Sequence, residues 1–300
     1  MKSEMLDVLP TMGLKAWQLR RLQQHAAIGL PSAVGPSSVT LMAYHFWESD
    51  RQDSEFERLA ASLHEAWLQC GMLKTVLVVN CITPRLEAFA ASAGGWVVLQ
   101  TCKNLVPGNL YSMSADCIGR LAERFDSDYV LIVQNDGFPV RSGLDGFLGR
   151  YDYIGAPWVF GKDNRITRLL LPHGHDVGNG GFSLRSKALC DLSAWYYRRC
   201  YRLIPECYLV TEDYFICKTL PSFERRYRET IRIAPPEVAA TFSLEDNVAL
   251  HDALDARPFG FHGEAAFRRL LKEGKIPDVE MLGGRKGQSN GHNAQKGGTL

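Results

Sequence analysis

The sequence has no stretch approaching the ~18 apolar residues needed to span a bilayer. It has no basic excess either. The 34 Lys and Arg stand against 33 Asp and Glu, a net charge of +1, which gives little support to a nucleic-acid partner. The eight cysteines (Cys70, Cys81, Cys102, Cys117, Cys190, Cys200, Cys207, Cys217) form no C-x-x-C pair. Their scatter is unlike a small disulfide-stapled scaffold. Runs such as Val78-Val79-Asn80-Cys81 and Phe215-Ile216-Cys217 suit a thiol acting as a small hydrophobe. An apolar signal core is missing near the N-terminus, where Lys15–Leu22 is amphipathic and polar. Together these absences point to a reducing, cytoplasmic setting. Internal repeats and the G-x-x-x-x-G-K-[ST] phosphate loop are missing too.

What is present is ordinary for a soluble globular chain: 46% hydrophobic and 22% charged residues. That excludes a wholly disordered, collagenous or coiled-coil protein, and the length fits two domains or one large α/β domain. Residues 1–37 carry four basic and two acidic side chains and 283–300 carry three basic and none acidic. The body from 38 to 282 keeps 27 basic and 31 acidic residues, net −4. Carboxylates kept for a metal account for that excess as well as surface Asp and Glu do. Residues 31–38 read as a linker by composition, and 283–300, without an apolar pattern, as a disordered tail. The stretch 13–29 reads first as a peripheral helix covering the domain. Its second reading is a short surface helix docking on a membrane or a partner.

Between the ends, short apolar runs alternate with amphipathic segments. Strands are expected at Val39–Tyr44, Thr75–Val79, Trp96–Leu99 and Tyr129–Val133. Helices are expected from Phe56 to Cys70, from Pro84 to Ala91, and from about Ser114 to Phe125, with Ser114 as N-cap and Asp116 in the first turn. Alternation of this kind implies an α/β fold with a mostly parallel sheet covered by helices on both faces. Ligands of such sheets bind beyond the carboxyl ends of the strands.

Four fragments carry chemistry. Gln134-Asn135-Asp136-Gly137-Phe138-Pro139 follows the last of these strands. Asp136 there suits a metal or phosphate-linked role, or equally a turn or N-cap. Gly178-Asn179-Gly180-Gly181-Phe182-Ser183 puts three glycines in four residues ahead of a helix-like stretch, Lys187–Arg199. Such a loop lets the backbone approach a ligand, with helix amides facing an anion, or makes a tight turn. Thr211-Glu212-Asp213 opens an apolar helical run, where the carboxylates serve the helix dipole or supply a general base. Phe259-Gly260-Phe261-His262 offers one imidazole, as a metal ligand or a hydrogen-bonded core group.

In this order, over about 130 residues, the fragments resemble the GT-A glycosyltransferases. Asp136–Val140, Tyr153-Ile154-Gly155-Ala156-Pro157-Trp158 and Gly178–Arg185 more narrowly resemble a bacterial and fungal family of GT-A-like transferases carried as a domain of unknown function (DUF5672-like). The resemblance covers roughly 38–265. It implies a single GT-A-like domain over 38–282 with a Rossmann-like sheet. Its nucleotide-binding half would be 38–140 and its acceptor-side half 141–282, with 1–37 as a helical extension and linker.

By the same resemblance Asp136 and His262 would bind Mn²⁺ or Mg²⁺. Gln134 stands where the usual Asp-x-Asp motif has its first acidic residue, and Gln134 and Asn135 would face the donor. Gln134 can hydrogen-bond a hydroxyl but adds no charge. Asp213 matches the base of inverting members, and Glu212 would orient the acceptor or simply begin the helix. Gly178, Gly180 and Gly181 would line the sugar pocket, with Asn179 and Ser183 bonding sugar hydroxyls. Tyr44 and His45, ending the first strand, are placed by topology at a nucleobase.

The implied activity is a metal-dependent, inverting, hexosyltransferase-like glycosyltransferase (EC 2.4) of polysaccharide biosynthesis. It would move a sugar from a nucleotide-sugar, UDP-linked for preference, to a glycan or other hydroxyl acceptor. The rival is a non-catalytic nucleotide-sugar-binding protein of the same fold, motivated by Gln134. A nucleotidyltransferase ranks last, because Phe46-Trp47-Glu48-Ser49-Asp50 is not a Gly-rich basic loop. The arginines Arg198, Arg199, Arg202, Arg225, Arg226, Arg228 and Arg232 suit a solvated helix face or an anionic acceptor. Trp158, Trp195, Tyr196 and Tyr197 suit core packing or sugar stacking.

Overall fold

Seven consecutive buried residues, Val39–His45, form strand β1. A strand apolar on both faces must be covered on both faces, which puts β1 inside the sheet. In the computed structural model, which describes residues 13–47, 53–158, 169–201, 211–255 and 257–276, β1 pairs in parallel with β2 (Thr75–Val79) on one side and β4 (Tyr129–Ile132) on the other. Strand β3 (Val97–Thr101) continues the parallel set beyond β2. The six-stranded sheet runs β3-β2-β1-β4-β7-β6, with β6 at Tyr153–Ile154 and β7 at Ser183–Ser186. Strand β7 alone runs the other way, antiparallel to both β4 and β6. The expected α/β class with a mostly parallel sheet flanked by helices is what the chain adopts. Strand order reverses between β1 and β4, so the crevice beyond their carboxyl ends is the natural ligand position.

Helix α1 spans Leu14–Ile28, α2 Asp53–Cys70 and α3 Pro84–Ser92. The next helix differs from expectation. Helix α4 runs Leu110–Gly119, capped by Asn109, whose side-chain oxygen accepts from the Tyr111 and Ser112 amides at 3.0 and 3.3 Å. Ser114 is therefore a buried mid-helix residue and not a cap. The turn at Pro107-Gly108 hands the start to Asn109, as good a capping acceptor as Ser. Helix α5, Lys187–Tyr196, is capped by Ser186, whose Oγ accepts from the Leu189 amide at 3.1 Å. Strand β7, roughly 13 Å long for four residues, separates this helix from the glycine loop. The α5 amides consequently do not face that loop.

A second sheet orders β5 (Gly137–Pro139), β9 (Gly260–His262) and β8 (Ser243–Leu244). Its core joins Leu14 and Trp17 of α1 to Phe138, Val140, Leu244 and Phe261. Ala266, Phe267 and Leu270 of the helix Glu264–Lys272 complete it. Trp17 stacks on Phe138 with ring centroids 5.4 Å apart. Leu14 and Trp17 of α1 are thus turned into the fold, and although Ile28 at the end of the helix is exposed, membrane contact through residues 13–29 is left unsupported. Among the described residues no helix is long and apolar enough to cross a membrane. Cys102, Cys117, Cys190 and Cys217 are buried thiols, whereas Cys81 is exposed just past β2. The tail 283–300, residues 48–52, Arg202 and Cys207 lie outside the described residues.

Candidate active site

After β4 the chain stays beside β1 for one more residue, with the Val133 amide bonded to the Met42 carbonyl at 3.0 Å. It then turns through Gln134-Asn135-Asp136 and enters β5. Strand β5 pairs antiparallel with β9, with Gly137 opposite His262. This pairing brings Asp136 beside an imidazole 126 residues away. A Cβ on Gly137 would meet the Phe261 carbonyl oxygen at 2.8 Å, so the close approach requires glycine.

His262 is held between two carboxylates. Its Nδ1 is 2.9 Å from Glu245 Oε1, and its Nε2 lies 3.1 Å from both Gln134 Oε1 and Asp136 Oδ1. Only the Gln134 contact is aligned as a hydrogen bond; Asp136 Oδ1 is buried and accepts none. Glu245 Oε2 is likewise buried without a partner. Burial alone would depress the His262 pKa, but Asp136 and Glu245 outweigh it and raise it to about 10. Burial pushes Asp136 up, and the adjacent imidazolium more than reverses this, leaving its pKa below the usual value.

The glycine loop joins this cluster to the Glu-Asp pair. A Cβ on Gly181 would fall 2.2 Å from His262 Nε2, and one on Gly180 would fall 2.0 Å from Glu212 Oε1. The Gly180 amide donates to Asp213 Oδ2 at 3.0 Å, and the Tyr214 amide donates to Asp213 Oδ1 at 2.8 Å. Burial and then the adjacent Glu212 raise the Asp213 pKa above its ordinary value. Asp213 is therefore a stronger base than a solvated aspartate.

Glu212 is fully engaged. Its Oε1 is 2.9 Å from Arg185 Nη2, and its Oε2 accepts from Ser114 Oγ at 3.2 Å. Both Arg185 and Glu212 are buried. An acceptor-orienting role for Glu212 does not suit this geometry; it anchors Arg185 at the start of its helix. Ser183 is fully buried and donates to the Gly180 carbonyl at 3.0 Å, so its hydroxyl braces the loop and does not face a sugar. Asn179, at φ 54°, accepts from Trp158 Nε1 at 2.8 Å.

Tyr44 and His45 are not brought to this cluster. The Tyr44 hydroxyl donates to Asp116 Oδ2 at 2.9 Å, within a buried group that includes Arg124 and Cys102. His45 is buried against Trp47 and Phe56. Their positions at the end of β1 follow the topology, but their side chains serve the interior. Of the arginines, Arg198 pairs with Glu123 at 2.7 Å and Arg225 with Glu229 at 2.7 Å, both at the surface. Sequence reasoning missed Arg185 and Glu245. Arg185 was signalled as the one charge in the short strand β7, Ser183–Ser186. Glu245 had no local signal, since only tertiary pairing places it against His262.

Among the described residues one trio, His251, Asp252 and Glu273, has three ligand atoms within 4.8 Å of one another. Arg269 already pairs with Asp252 at 2.6 Å and Lys275 with Glu273 at 3.0 Å. This is an ion-pair network whose negative charge is balanced, a poor host for a cation.

The site's order along the chain, Asp136 to Gly178–Gly181 to Asp213 to His262, is also where sequence comparison finds a relative. Residues 119–262 match the family described as "Protein of unknown function (DUF5672)". The DUF5672 match includes Asp136–Val140, Tyr153–Trp158, Gly178–Arg185 and Asp213, and it ends on His262. No curated protein matches the chain by sequence. Core-mannan synthase A (CmsA/Ktr4) from Aspergillus fumigatus, in its Mn/GDP form, is a similar solved structure. It is 8% identical, with 67% of this chain and 73% of that one covered, at a TM-score of 0.49. The glycosyltransferase GlyE of Streptococcus pneumoniae TIGR4 is 11% identical over 82% of this chain, which spans 63% of GlyE's length, at a TM-score of 0.46. The mannosyltransferase Ktr4p from S. cerevisiae, in complex with GDP, is 9% identical over 80% of this chain and 84% of its own, at a TM-score of 0.40.

Proposed function

We propose that the protein is a glycosyltransferase that moves a sugar from a nucleoside-diphosphate sugar to an acceptor hydroxyl. One observation carries this reading. Two consecutive glycines beyond the carboxyl end of β4 touch the two halves of the chemistry, Gly180 the Asp213 base and Gly181 the Asp136–His262 cluster.

The donor set suits a divalent metal. Asp136 Oδ1 is a buried carboxylate oxygen without a hydrogen bond, His262 Nε2 and Gln134 Oε1 lie beside it, and glycine at 181 lets the loop backbone lie directly against the imidazole, where a Cβ would collide with Nε2. Asp136 and His262 would hold Mn²⁺ or Mg²⁺, with Gln134 as a neutral carbonyl neighbour. Such an ion supplies Lewis-acid neutralisation of a leaving diphosphate. Asp213 would take the proton of the acceptor hydroxyl as it attacks the anomeric carbon. Its burial raises its basicity, and the Gly180 amide fixes its direction. A base facing the acceptor, opposite the diphosphate, gives inversion in a single displacement. The Gly178–Gly181 backbone would let the sugar approach where side chains would collide, with Arg185 and Glu212 bracing the loop beneath. UDP- and GDP-linked sugars are the donors to test first.

The rival, a binding protein without turnover, draws on the missing charge at Gln134. The buried Asp213 weighs against it, because a binder has no use for a raised-pKa carboxylate at the loop. Donor hydrolysis and transfer by Asp213→Asn separate the two. The enzyme reading expects donor binding to persist while turnover falls by about 10²–10⁴-fold. Unchanged turnover in that variant removes Asp213 from the mechanism.

A further inference from the structure

Gln18 is fully buried on α1, outside the family-matched residues 119–262. A buried amide is costly unless its polar atoms are paired, and those of Gln18 are paired around one loop. Its Nε2 donates to the Asn135 carbonyl at 2.6 Å, to Ser62 Oγ at 3.0 Å and to the Arg58 carbonyl at 3.3 Å. Its Oε1 accepts from Arg58 Nε at 3.0 Å. Arg58 Nη1 in turn donates to Glu55 Oε2 at 3.0 Å, and the same oxygen accepts from Asn135 Nδ2 at 2.6 Å. Gln18, Arg58, Glu55 and Asn135 thus close a ring that grips Asn135 by both its carbonyl and its side chain.

The next residue is Asp136. Two residues beyond it Phe138 stacks on Trp17, the neighbour of Gln18. Helix α1 therefore holds the loop on both sides of Asp136. The helix is itself anchored. Arg21 and His25 meet Glu65 of α2 at 2.7 and 2.9 Å, and the Leu14 amide donates to the Glu264 carboxylate at 3.0 Å.

We infer that Gln18 is a positioning residue for the donor site: by fixing Asn135 it sets the direction of the Asp136 carboxylate, and α1 is a working wall of that site. The link to the donor rests on the proposed role of Asp136; the link to the loop does not. Asn135 accordingly acts through its backbone and Glu55, and not as a donor contact.

The test uses the full chain with Gln18→Met, which keeps length and apolar volume but removes the bonds. Gln23→Ala, on the exposed side of α1, is the control, and Asp136→Ala the reference for Mn²⁺. Amide hydrogen exchange of the 134–138 segment is expected to rise at least fivefold in Gln18→Met while α2 keeps its protection. Mn²⁺ affinity, by titration calorimetry, is expected to fall about tenfold, as for other supporting partners of metal ligands. Wild-type exchange over 134–138, or a uniform rise along α1 and α2 with that segment unchanged, overturns the inference. If wild type and Asp136→Ala bind Mn²⁺ alike, the donor-site reading fails while the exchange data still decide the role of Gln18. Should Gln18→Met not fold, Gln18→Glu, which keeps the Arg58 contact but opposes an acceptor to the Asn135 carbonyl, takes the same two measurements.

Discussion

Arg185 and Glu212 form an ion pair, Nη2 to Oε1 at 2.9 Å, with both side chains almost wholly removed from water. Among the described residues, the neighbouring Asp213 has no such cation. Two adjacent carboxylates therefore have separate work, and substitution should divide them. Glu212→Gln leaves Arg185 charged and unpaired in the interior, and is expected to lower stability by about 3 kcal/mol. Asp213→Asn removes a carboxylate whose charged form burial disfavours, and is expected to hold stability within about 1 kcal/mol. Urea denaturation of the two variants checks this, and the reverse order of stabilities contradicts the assignment.

Gly181 lies against His262 with no room for a methyl group. Gly181→Ala should displace the imidazole from Asp136, destabilise by roughly 1–3 kcal/mol and remove the Mn²⁺ response. Gly146, around which nothing lies within 4 Å, supplies the comparison: Gly146→Ala should stay within about 0.5 kcal/mol of wild type. Melting temperatures with and without Mn²⁺ measure both.

His45 gives the fold an acid-sensitive point. Burial lowers its pKa from 6.5 to about 4, so the unfolded chain binds the proton first as pH falls. Stability is complete above pH 6.5 and is lost progressively towards pH 4, by on the order of 2–3 kcal/mol from this group. His45→Gln should flatten that part of the stability–pH curve in urea titrations between pH 7 and 4. An unchanged slope assigns the acid sensitivity elsewhere.

The parallel strands were legible in the sequence because β1, β2 and β4 are continuous apolar runs, a pattern that needs no partner to be read. Asp136, Asp213 and His262 were legible as types in order. What was not legible depends on long-range pairing. The β5–β9 ladder, with Gly137 opposite His262, brings Gln134 to the imidazole, and the β8–β9 pairing brings Glu245 there. Ser183 and Glu212 were placed at the right loop, but their neighbours Gly180 and Arg185 take up their polar atoms. Tyr44 and His45 were assigned from the end of a strand, which fixes a backbone position and not which way a side chain turns. Residues 13–29 read as a cover, since nothing local in Gln18 announces that its amide meets Asn135.

The most direct measurement is the thermal midpoint of the full chain with nucleotide-sugars, UDP- and GDP-linked among them, with and without Mn²⁺, in wild type and Asp136→Ala. A ligand that binds only the folded state raises the midpoint. The account predicts a rise for wild type with a nucleoside-diphosphate sugar plus Mn²⁺, smaller without the metal and absent in Asp136→Ala. No rise in wild type with any of these donors, or an equal rise in Asp136→Ala, contradicts it.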